Sequence, residues 1–311
     1  MSFETKPLVS VIVPLFNHER FVVDCLQSIV NNNYRPLEII VLDDGSSDSS
    51  YQKACDWASK VHELGLSISI KRQENQGLNK TLNNLVKMAQ GEFIALIASD
   101  DCLTPNSIEV RVNALRRHPE WLVVFGDAHV IDESNRLLFN SFLYESVGIN
   151  KVALKNPKFI TLELILRWST PGGSFLARKK VYDPQQGVGL YDETLPFEDR
   201  DFYLRSLALN VVGFIDEYVS LYRWHSTNSV KNMDNQFKAK LQLGAYLSEK
   251  KNIKLFRGIN KLGLMLSAYR CFCLGNYYAS SKLNYLIGAK VANRLIKIIY
   301  YLHTLRQKFS S

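Results

Sequence analysis

The 311-residue sequence lacks several patterns that would assign it to common classes of protein. Its five cysteines are scattered and odd in number, which argues against a disulfide framework and for a reducing compartment. Cys271 and Cys273 form a C-x-C pair without the second pair that a zinc site needs. We find no N-terminal signal segment and no run of about 18 apolar residues, so we expect a cytoplasmic protein without a membrane-spanning helix.

Both common glycine-rich phosphate-binding motifs are also missing. No G-x-G-x-x-G follows the first predicted strand, and no G-x-x-x-x-G-K-[ST] occurs anywhere in the chain. The assignment of this chain to dinucleotide-binding or P-loop proteins therefore loses its main support.

Acidic residues are scarce in one part of the chain. The net charge is +8, and residues 236–311 hold 14 Lys and Arg but only one acid, Glu249. Apolar residues between 283 and 305 follow helical spacing, with basic residues beside them. A basic amphipathic helix suits an anionic membrane surface, although packing against the rest of the chain or dimerisation is an alternative. We expect no nucleic-acid partner, because no binding motif accompanies the charge.

The first half of the chain alternates between apolar and helix-forming segments. Strands are predicted at 8–13, 38–42, 66–70 and 92–98, with helical segments between them. This alternation predicts βαβ units in an α/β fold with a mostly parallel central sheet flanked by helices. Ligands of such sheets bind beyond the carboxyl ends of the strands.

Polar residues follow three of these strands, at 14–17, 43–48 and 99–101. Asp100 and Asp101 end a buried strand, and a divalent cation with a phosphate ligand would explain two acids there. Asp101, or Asp100 through water, could hold that cation, and Asp44 could accept a hydrogen bond from a base or ribose. The alternatives are a solvated turn at 100–101 and a turn with a helix cap at 43–48.

Four motifs in this half resemble those of family 2 glycosyltransferases. They are VSVIVPLFN at 9–17, LEIIVLDDGSSD at 37–48, NQG at 75–77 with Asn83, and QGEFI at 90–94 leading to the two acids. Their order and spacing match the family over roughly residues 7–102. The sequence has Ser99-Asp100-Asp101 where many members have Asp-x-Asp, so the first acid is absent from its usual place.

The resemblance implies a GT-A (Rossmann-like) fold, a nucleotide-diphosphate sugar donor and a divalent cation, Mn²⁺ or Mg²⁺. It implies that Asp101 is the main metal-side carboxylate. It also implies that the donor nucleotide contacts Pro14, Leu15, Phe16, Asn17, Asp44, Lys80 and Asp100.

The second half contains another group of candidate residues. The turn at 171–174 holds Gly172 and Gly173, which allow close approach to a ligand or simply a turn. The family has a glycine-containing loop here, near the donor sugar. Acids at a helix start, such as Glu198 and Asp199, are favoured by the helix dipole. The resemblance instead assigns Glu198 to the donor side and Asp199 as catalytic base.

Other acids and a basic pair lie close to these residues in the sequence. Asp192 and Asp201 compete with the Glu-Asp motif for the role of base. His225 would be structural on its own, but the family often has Tyr-Arg-x-His here, with the His near metal or diphosphate. Arg223 could pair with phosphate or lock the local fold.

We therefore predict a catalytic domain at 1–235, with a nucleotide-sugar half at about 1–128 and an acceptor half at about 129–235. A basic helical region follows at 236–311. Within the second half we predict strands at 121–125, 175–177, 211–215 and 218–222, helices at 108–117 and 161–168, and an irregular acceptor loop at 132–158.

The predicted activity is inverting transfer of a sugar, most simply from a UDP-sugar, to a glycan or polyprenyl-diphosphate-linked saccharide. This suits bacterial O-antigen, capsule or exopolysaccharide synthesis at the inner face of the plasma membrane, with the oligomeric state open. One alternative is sugar-nucleotide synthesis, which would need a glycine-rich N-terminal phosphate loop. Another is a catalytically degenerate GT-A-like nucleotide-binding or scaffold protein.

Overall fold

The computed structural model describes residues 6–61, 66–167, 171–225 and 235–279. Nine strands occur among these residues: β1 (Val9–Leu15), β2 (Leu37–Asp43), β3 (Ser67–Arg72), β4 (Phe93–Leu96), β5 (Cys102–Leu103), β6 (Val123–Ile131), β7 (Leu137–Phe139), β8 (Phe175–Arg178) and β9 (Val212–Arg223). The same residues form nine α-helices: α1 (Val22–Val30), α2 (Ser50–Val61), α3 (Leu78–Met88), α4 (Ser107–Arg117), α5 (Lys151–Leu154), α6 (Ile160–Leu166), α7 (Asp199–Ala208), α8 (Asn235–Asn252) and α9 (Gly258–Ala279).

All nine strands belong to one sheet, in the order β3-β2-β1-β4-β8-β6-β9-β5, with β7 paired to β6. Parallel ladders join β3, β2, β1 and β4, and another joins β6 to β9. β8 runs antiparallel between β4 and β6. The parallel ladders are longer than the antiparallel ones, so the predicted α/β fold with a mostly parallel sheet is confirmed.

The core lies on both faces of this sheet, because alternate residues of a strand point to opposite sides. Val11 and Val13 of β1 pack in the cluster that includes α1 and α4. Ile12, between them, packs in the cluster that includes α3, α6 and α7. Burial on both faces explains why the first strands are continuous apolar runs.

The structure differs from the predictions in the second half. The predicted strand at 121–125 extends to Ile131, and the two strands predicted at 211–215 and 218–222 form the single strand β9. The region 132–158, predicted as a loop, contains β7, a π-helical turn (Phe142–Ser146) and α5. Buried Asp127 organises it, since its carboxylate accepts hydrogen bonds from the Ser141 hydroxyl and the Leu143 N–H and pairs with Lys151.

The predicted C-terminal helical extension is confirmed as far as the structure describes it, in α8 and α9. Phe256 and Leu264 from this extension belong to the same apolar cluster as α6 and α7. The apolar pattern predicted between 283 and 305 lies outside the described residues, and so does the end of the helix predicted at 161–168. In the described part of the chain, no helix has the length and apolar character needed to cross a bilayer.

Candidate active site at the strand ends

Three side chains converge near the carboxyl end of β4. His225 Nε2 lies 2.9 Å from Asp100 Oδ2, and His18 Nδ1 lies 3.8 Å from Asp100 Oδ1. One potential ligand atom from each of the three residues lies within 4.8 Å of the others. His225 is buried with its ring against Phe21, the ring centroids being 4.6 Å apart, whereas a quarter of the His18 side chain is exposed. The cluster is therefore buried at His225 and open to solvent at His18.

Two hydrogen bonds donated by Arg223 fix these segments to each other. The backbone N–H of Arg223, at the end of β9, donates to Asp101 Oδ1 over 2.8 Å. The Arg223 side chain Nε donates to the Asp100 carbonyl oxygen, also over 2.8 Å. β5 continues the connection by pairing antiparallel with β9. Asp100 and His225 are thus neighbours although 125 residues separate them.

The structure buries both Asp101 and Arg223. Asp101 is 2% exposed and lies outside the three-residue cluster. Arg223 is fully buried, and its guanidinium also donates to the Asp132 carbonyl and to Asn135 Oδ1. The geometry supports a fold-locking role for Arg223. It supports Asp100 in place of Asp101 as the metal-side carboxylate, and a metal role for Asp101 stays a prediction.

The two adjacent acids have opposite electrostatic environments. Burial opposes ionisation of Asp100, but the hydrogen bond from His225 and the nearby charge of His18 outweigh it and lower the pKa of Asp100. Burial and the neighbouring Asp100 carboxylate raise the pKa of Asp101 well above its usual value. Of the two carboxyl groups, Asp100 is therefore the one that ionises more readily.

The cluster fits a divalent transition-metal cation. It offers one carboxylate and two imidazole nitrogens. Mn²⁺ accepts both types of ligand, whereas Mg²⁺ prefers oxygen ligands alone. His225, Asp100 and His18 would hold such a cation and leave its other positions to water or phosphate oxygens.

Most of the predicted nucleotide-binding residues lie where β1 and β2 end, whereas Lys80 lies on α3 and Asp100 follows β4. Asp44 N–H donates to the Leu15 carbonyl over 2.8 Å. Asn17 has a left-handed backbone, at φ 53°, which asparagine tolerates better than most residues. Its N–H donates to Ser46 Oγ, and its Oδ1 accepts from the N–H of Ser47. These bonds join the two loops that the sequence assigned to the nucleotide.

Not every predicted nucleotide contact is exposed. The Leu15 side chain is fully buried, so it has no surface for a base, whereas the Phe16 side chain is 45% exposed. Pro14 is half-buried within β1, and Lys80 is exposed on α3.

The Asp44 carboxylate, assigned to the base, is used inside the protein. It accepts hydrogen bonds from the N–H groups of Gln76 and Gly77 and from the side chain of Gln73. It thereby fixes the loop that leads into α3. A direct contact of Asp44 with a base stays a prediction.

The glycine turn at 171–174 packs against the end of β4. Gly172 begins a short 3-10 turn. A Cβ on Gly173 would lie 3.3 Å from the Cβ of Ser220 and 3.4 Å from Ile97. From the other side, buried Arg111 donates to the carbonyls of Gly173 and Phe175. The missing side chain of Gly173 thus allows close packing of protein against protein.

The Glu-Asp pair stands at the start of α7, with Asp199 as the first helical residue. Removal from water and the adjacent Asp199 carboxylate raise the pKa of Glu198 to about 8. The two competing acids have other partners. The Asp201 carboxylate is buried and bonded to Asn252 and Arg205. Asp192 pairs with Lys251, which, against the effect of burial, lowers the pKa of Asp192 to about 2. The Asp199 carboxylate accepts a hydrogen bond from the N–H of Arg200, and its role as the base stays a prediction.

Sequence analysis missed His18 and Arg111 as site residues. His18 directly follows the first polar strand end, and that position was the available signal. Arg111 lies on α4 beside buried Val112, and nothing in the sequence shows that a charged residue is buried there.

A mostly parallel sheet with a cation-ligand cluster beyond the carboxyl end of β4 has the architecture of a GT-A glycosyltransferase fold. Solved structures support this assignment. S. aureus TarS residues 1–349 in complex with UDP-GlcNAc align with a TM-score of 0.61 at 17% identity, covering 89% of this chain and 76% of that one. The mannosyltransferase PcManGT from Pyrobaculum calidifontis, in complex with GDP-Man and Mn²⁺, aligns with a TM-score of 0.60 at 16% identity, covering 96% and 81%.

The chain belongs to glycosyl transferase family 2, whose family model matches residues 10–175. Glycosyltransferase GlyG of Streptococcus pneumoniae serotype 4 is 33% identical over 231 residues, or 70% of this chain and 71% of that protein. An uncharacterized glycosyltransferase of Rickettsia felis is 28% identical over 231 residues, covering 74% of this chain. The chain spans only 36% of that rickettsial protein's length. The resemblance and the GT-A fold predicted from the sequence are confirmed.

Proposed function

We propose that this protein is a metal-dependent, inverting glycosyltransferase that moves a sugar from a nucleotide-diphosphate sugar to a saccharide acceptor. The observation that carries the proposal is the cluster of His18, Asp100 and His225 beyond the carboxyl end of β4, where α/β sheets bind their ligands. Inversion is inferred from the resemblance to the family.

The chain's own residues have distinct roles in this mechanism. A divalent cation bound by the cluster would neutralise charge on the departing diphosphate. Asp199 takes the proton from the acceptor hydroxyl, whose oxygen bonds to the anomeric carbon as the carbon–diphosphate bond breaks. Glu198, whose pKa is about 8, is protonated at neutral pH and can donate a hydrogen bond to the donor sugar.

The nucleotide is assigned to the loops after β1 and β2. Exposed Phe16 offers a flat apolar surface to the base. Asp44 supports the neighbouring loop through its bonds to Gln76 and Gly77. We propose a UDP-sugar donor, and since the two structural neighbours carry UDP-GlcNAc and GDP-Man, the test includes both bases.

The acceptor is proposed to be a lipid-linked saccharide of bacterial surface-polysaccharide assembly, met at an anionic membrane. Support comes from α9, where exposed apolar side chains recur at helical spacing: Ile259, Leu262, Leu266, Tyr269 and Phe272. Exposed Lys261 and Arg270 lie on the same helix. Such a surface suits the boundary between lipid headgroups and acyl chains.

The test of the transferase function is donor hydrolysis across a panel of UDP- and GDP-sugars, with Mn²⁺, with Mg²⁺ and with EDTA. We expect turnover of one donor with Mn²⁺, abolished by EDTA. Transfer to a lipid-linked acceptor should fall at least about 100-fold in Asp199→Asn. Asp56→Asn, which makes the same change at an exposed acid on α2, is the control and should stay active. Metal-independent turnover, an active Asp199→Asn variant, or the absence of both donor binding and turnover would contradict the proposal.

A further inference from the structure

We propose that the last turn of α8 is a positioning element for Asp199, acting through Glu249, Lys251 and Asn252. The inference rests on the proposed function, because it takes Asp199 as the base of the transfer reaction. These three residues lie in the C-terminal helical region, far along the chain from the strand ends that bind the donor.

Glu249 holds the residue that follows Asp199. Arg200 is 1% exposed, and its Nε and Nη2 donate to Glu249 Oε1 over 3.2 and 2.5 Å. The same guanidinium donates to the carbonyl oxygens of Leu164 and Ile165, at the end of α6. Ser267 of α9 adds a 2.8 Å hydrogen bond to Glu249 Oε1. The buried pair of Arg200 and Glu249 therefore ties the start of α7 to α6, α8 and α9.

Asn252 and Lys251 contact Asp201, two residues after Asp199, and Lys251 also contacts the loop that precedes Glu198. Asn252 Nδ2 donates to Asp201 Oδ1 over 2.8 Å. Lys251 Nζ lies 3.5 Å from the same oxygen and pairs with Asp192. α8 thus contacts the chain on both sides of Asp199.

The backbone of α8 also approaches this segment closely. A Cβ on Gly244 would lie 2.6 Å from Pro196 Cγ and 2.9 Å from Phe197 Cδ2. These two residues immediately precede Glu198 and Asp199. Only a residue without a side chain allows α8 to lie this near the Glu-Asp pair.

Because of helix geometry, these contacts determine the direction in which Asp199 projects from α7. Consecutive helical residues project about 100° apart around the axis, so fixing Arg200 and Asp201 fixes the rotation of α7 and the direction of Asp199. A general base must lie within hydrogen-bond reach of the proton that it removes. A displacement of about 1 Å can reduce the rate by about 100-fold.

A purely stabilising role explains the arrangement less well. Buried ion pairs add little net stability, because desolvation offsets the attraction between the charges. Glu249 is fully buried, and its Oε2 has no hydrogen-bond partner within the described structure, which adds to that cost. An arrangement that contributes little to stability but fixes geometry is typical of a support for a reactive group.

The test compares Glu249→Gln and Asn252→Ala with Lys250→Gln, an exposed control on the same turn of α8. We expect kcat of the two test variants to fall about 10- to 100-fold, with KM for the donor and Mn²⁺ affinity unchanged. The control variant should keep the parent kcat. Circular dichroism and thermal unfolding establish that each variant is folded, and Gly244→Ala replaces any variant that does not fold.

A double-mutant cycle separates positioning from general damage. If Glu249 acts through Asp199, adding Glu249→Gln to Asp199→Asn should cause no further loss of rate. Additive losses, or a lower Mn²⁺ affinity in folded Glu249→Gln, would overturn the proposal. Full activity of folded Glu249→Gln beside an inactive Asp199→Asn would overturn the positioning role alone. An active Asp199→Asn would instead remove the proposed base, and the positioning role with it.

Discussion

Asp100 and Asp101 show how far adjacent residues can differ within one site. The first faces two histidines, and the second accepts a hydrogen bond from the Arg223 backbone. Opposite shifts in the pKa values of two carboxyl groups indicate different chemical roles.

The first prediction concerns these two acids. Asp100→Asn should weaken Mn²⁺ binding by about tenfold or more, because it removes the charged ligand from the cluster. His18→Ala should weaken binding in the same direction. Asp101→Asn, as the matched control, should bind Mn²⁺ as the parent does, since an amide oxygen can still accept the Arg223 N–H. Electron paramagnetic resonance of free Mn²⁺ measures each affinity, and the reverse order of effects would return the metal role to Asp101.

The second prediction concerns Glu198 and pH. The pKa of Glu198 rises from 4.5 to about 8 in the folded state, so folding favours its protonated form. Its contribution to the free energy of unfolding is fully present below about pH 4.5 and is lost as pH rises through about 8. Glu198→Gln stays neutral, so its thermal midpoint should exceed that of the parent increasingly from pH 5 to about 8.5.

Thermal unfolding without nucleotide or metal gives this comparison. Exposed Glu74→Gln is the matched control and should show a constant offset across the same pH range. Parallel curves for Glu198→Gln and the parent would contradict the assignment.

Single side chains could be predicted from the sequence only where a motif surrounded them. His225 stands in a Tyr-Arg-x-His pattern, which made it a candidate for the metal or diphosphate, and in the structure it contacts Asp100. His18 has no local pattern, and its partner Asp100 is more than 80 residues away, so the pairing exists only after folding. The fold-locking role of Arg223 remained one of two alternatives for the same reason.

At the scale of elements, local apolar runs predicted the first four strands well. β9 was predicted as two strands because Asp216 and Glu217 interrupt its apolar pattern. The structure accommodates them with register shifts in the ladder between β6 and β9. The region 132–158 was predicted as a loop because its order depends on Asp127, a buried acid of the preceding strand that no apolar periodicity reveals.

The third prediction concerns α4 and the glycine turn. Arg111→Met should lower the free energy of unfolding by about 2–4 kcal/mol, because the carbonyls of Gly173 and Phe175 lose a buried donor. Exposed Arg117→Met on the same helix should change it by less than about 0.5 kcal/mol. Urea unfolding at neutral pH measures both, and equal midpoints for the two variants would show that Arg111 does not support the turn.

At the scale of the whole molecule, charge and fold describe different properties. The motifs of the first half established the family and the fold, and both are confirmed. The 14 basic residues of 236–311 say nothing about the fold, although they bear on the partners. The described helices of this region also share a core with the catalytic elements, which composition could not show.

The fourth prediction concerns the exposed face of α9. The protein should sediment with vesicles that contain anionic phospholipid, and binding should fall as salt rises, because the attraction is screened. Leu262→Ser with Leu266→Ser should reduce binding several-fold by removing apolar contact. Leu137→Ser changes an equally exposed leucine on β7 and is the control. Equal binding of both variants, or no binding to anionic vesicles, would remove the membrane from the proposal.

The bond between Arg200 and Glu249 has a consequence for the order in which the protein becomes active during its synthesis. The two residues are 49 positions apart, so Arg200 leaves the ribosome well before its acid does. When Arg200 emerges, every strand of the described sheet except β9 has been made, and β9 follows before α8. A nascent chain can therefore assemble first the strand ends that we propose bind the donor, and align the proposed base only when α8 emerges. Translation itself would then delay transfer until the helical region has been made.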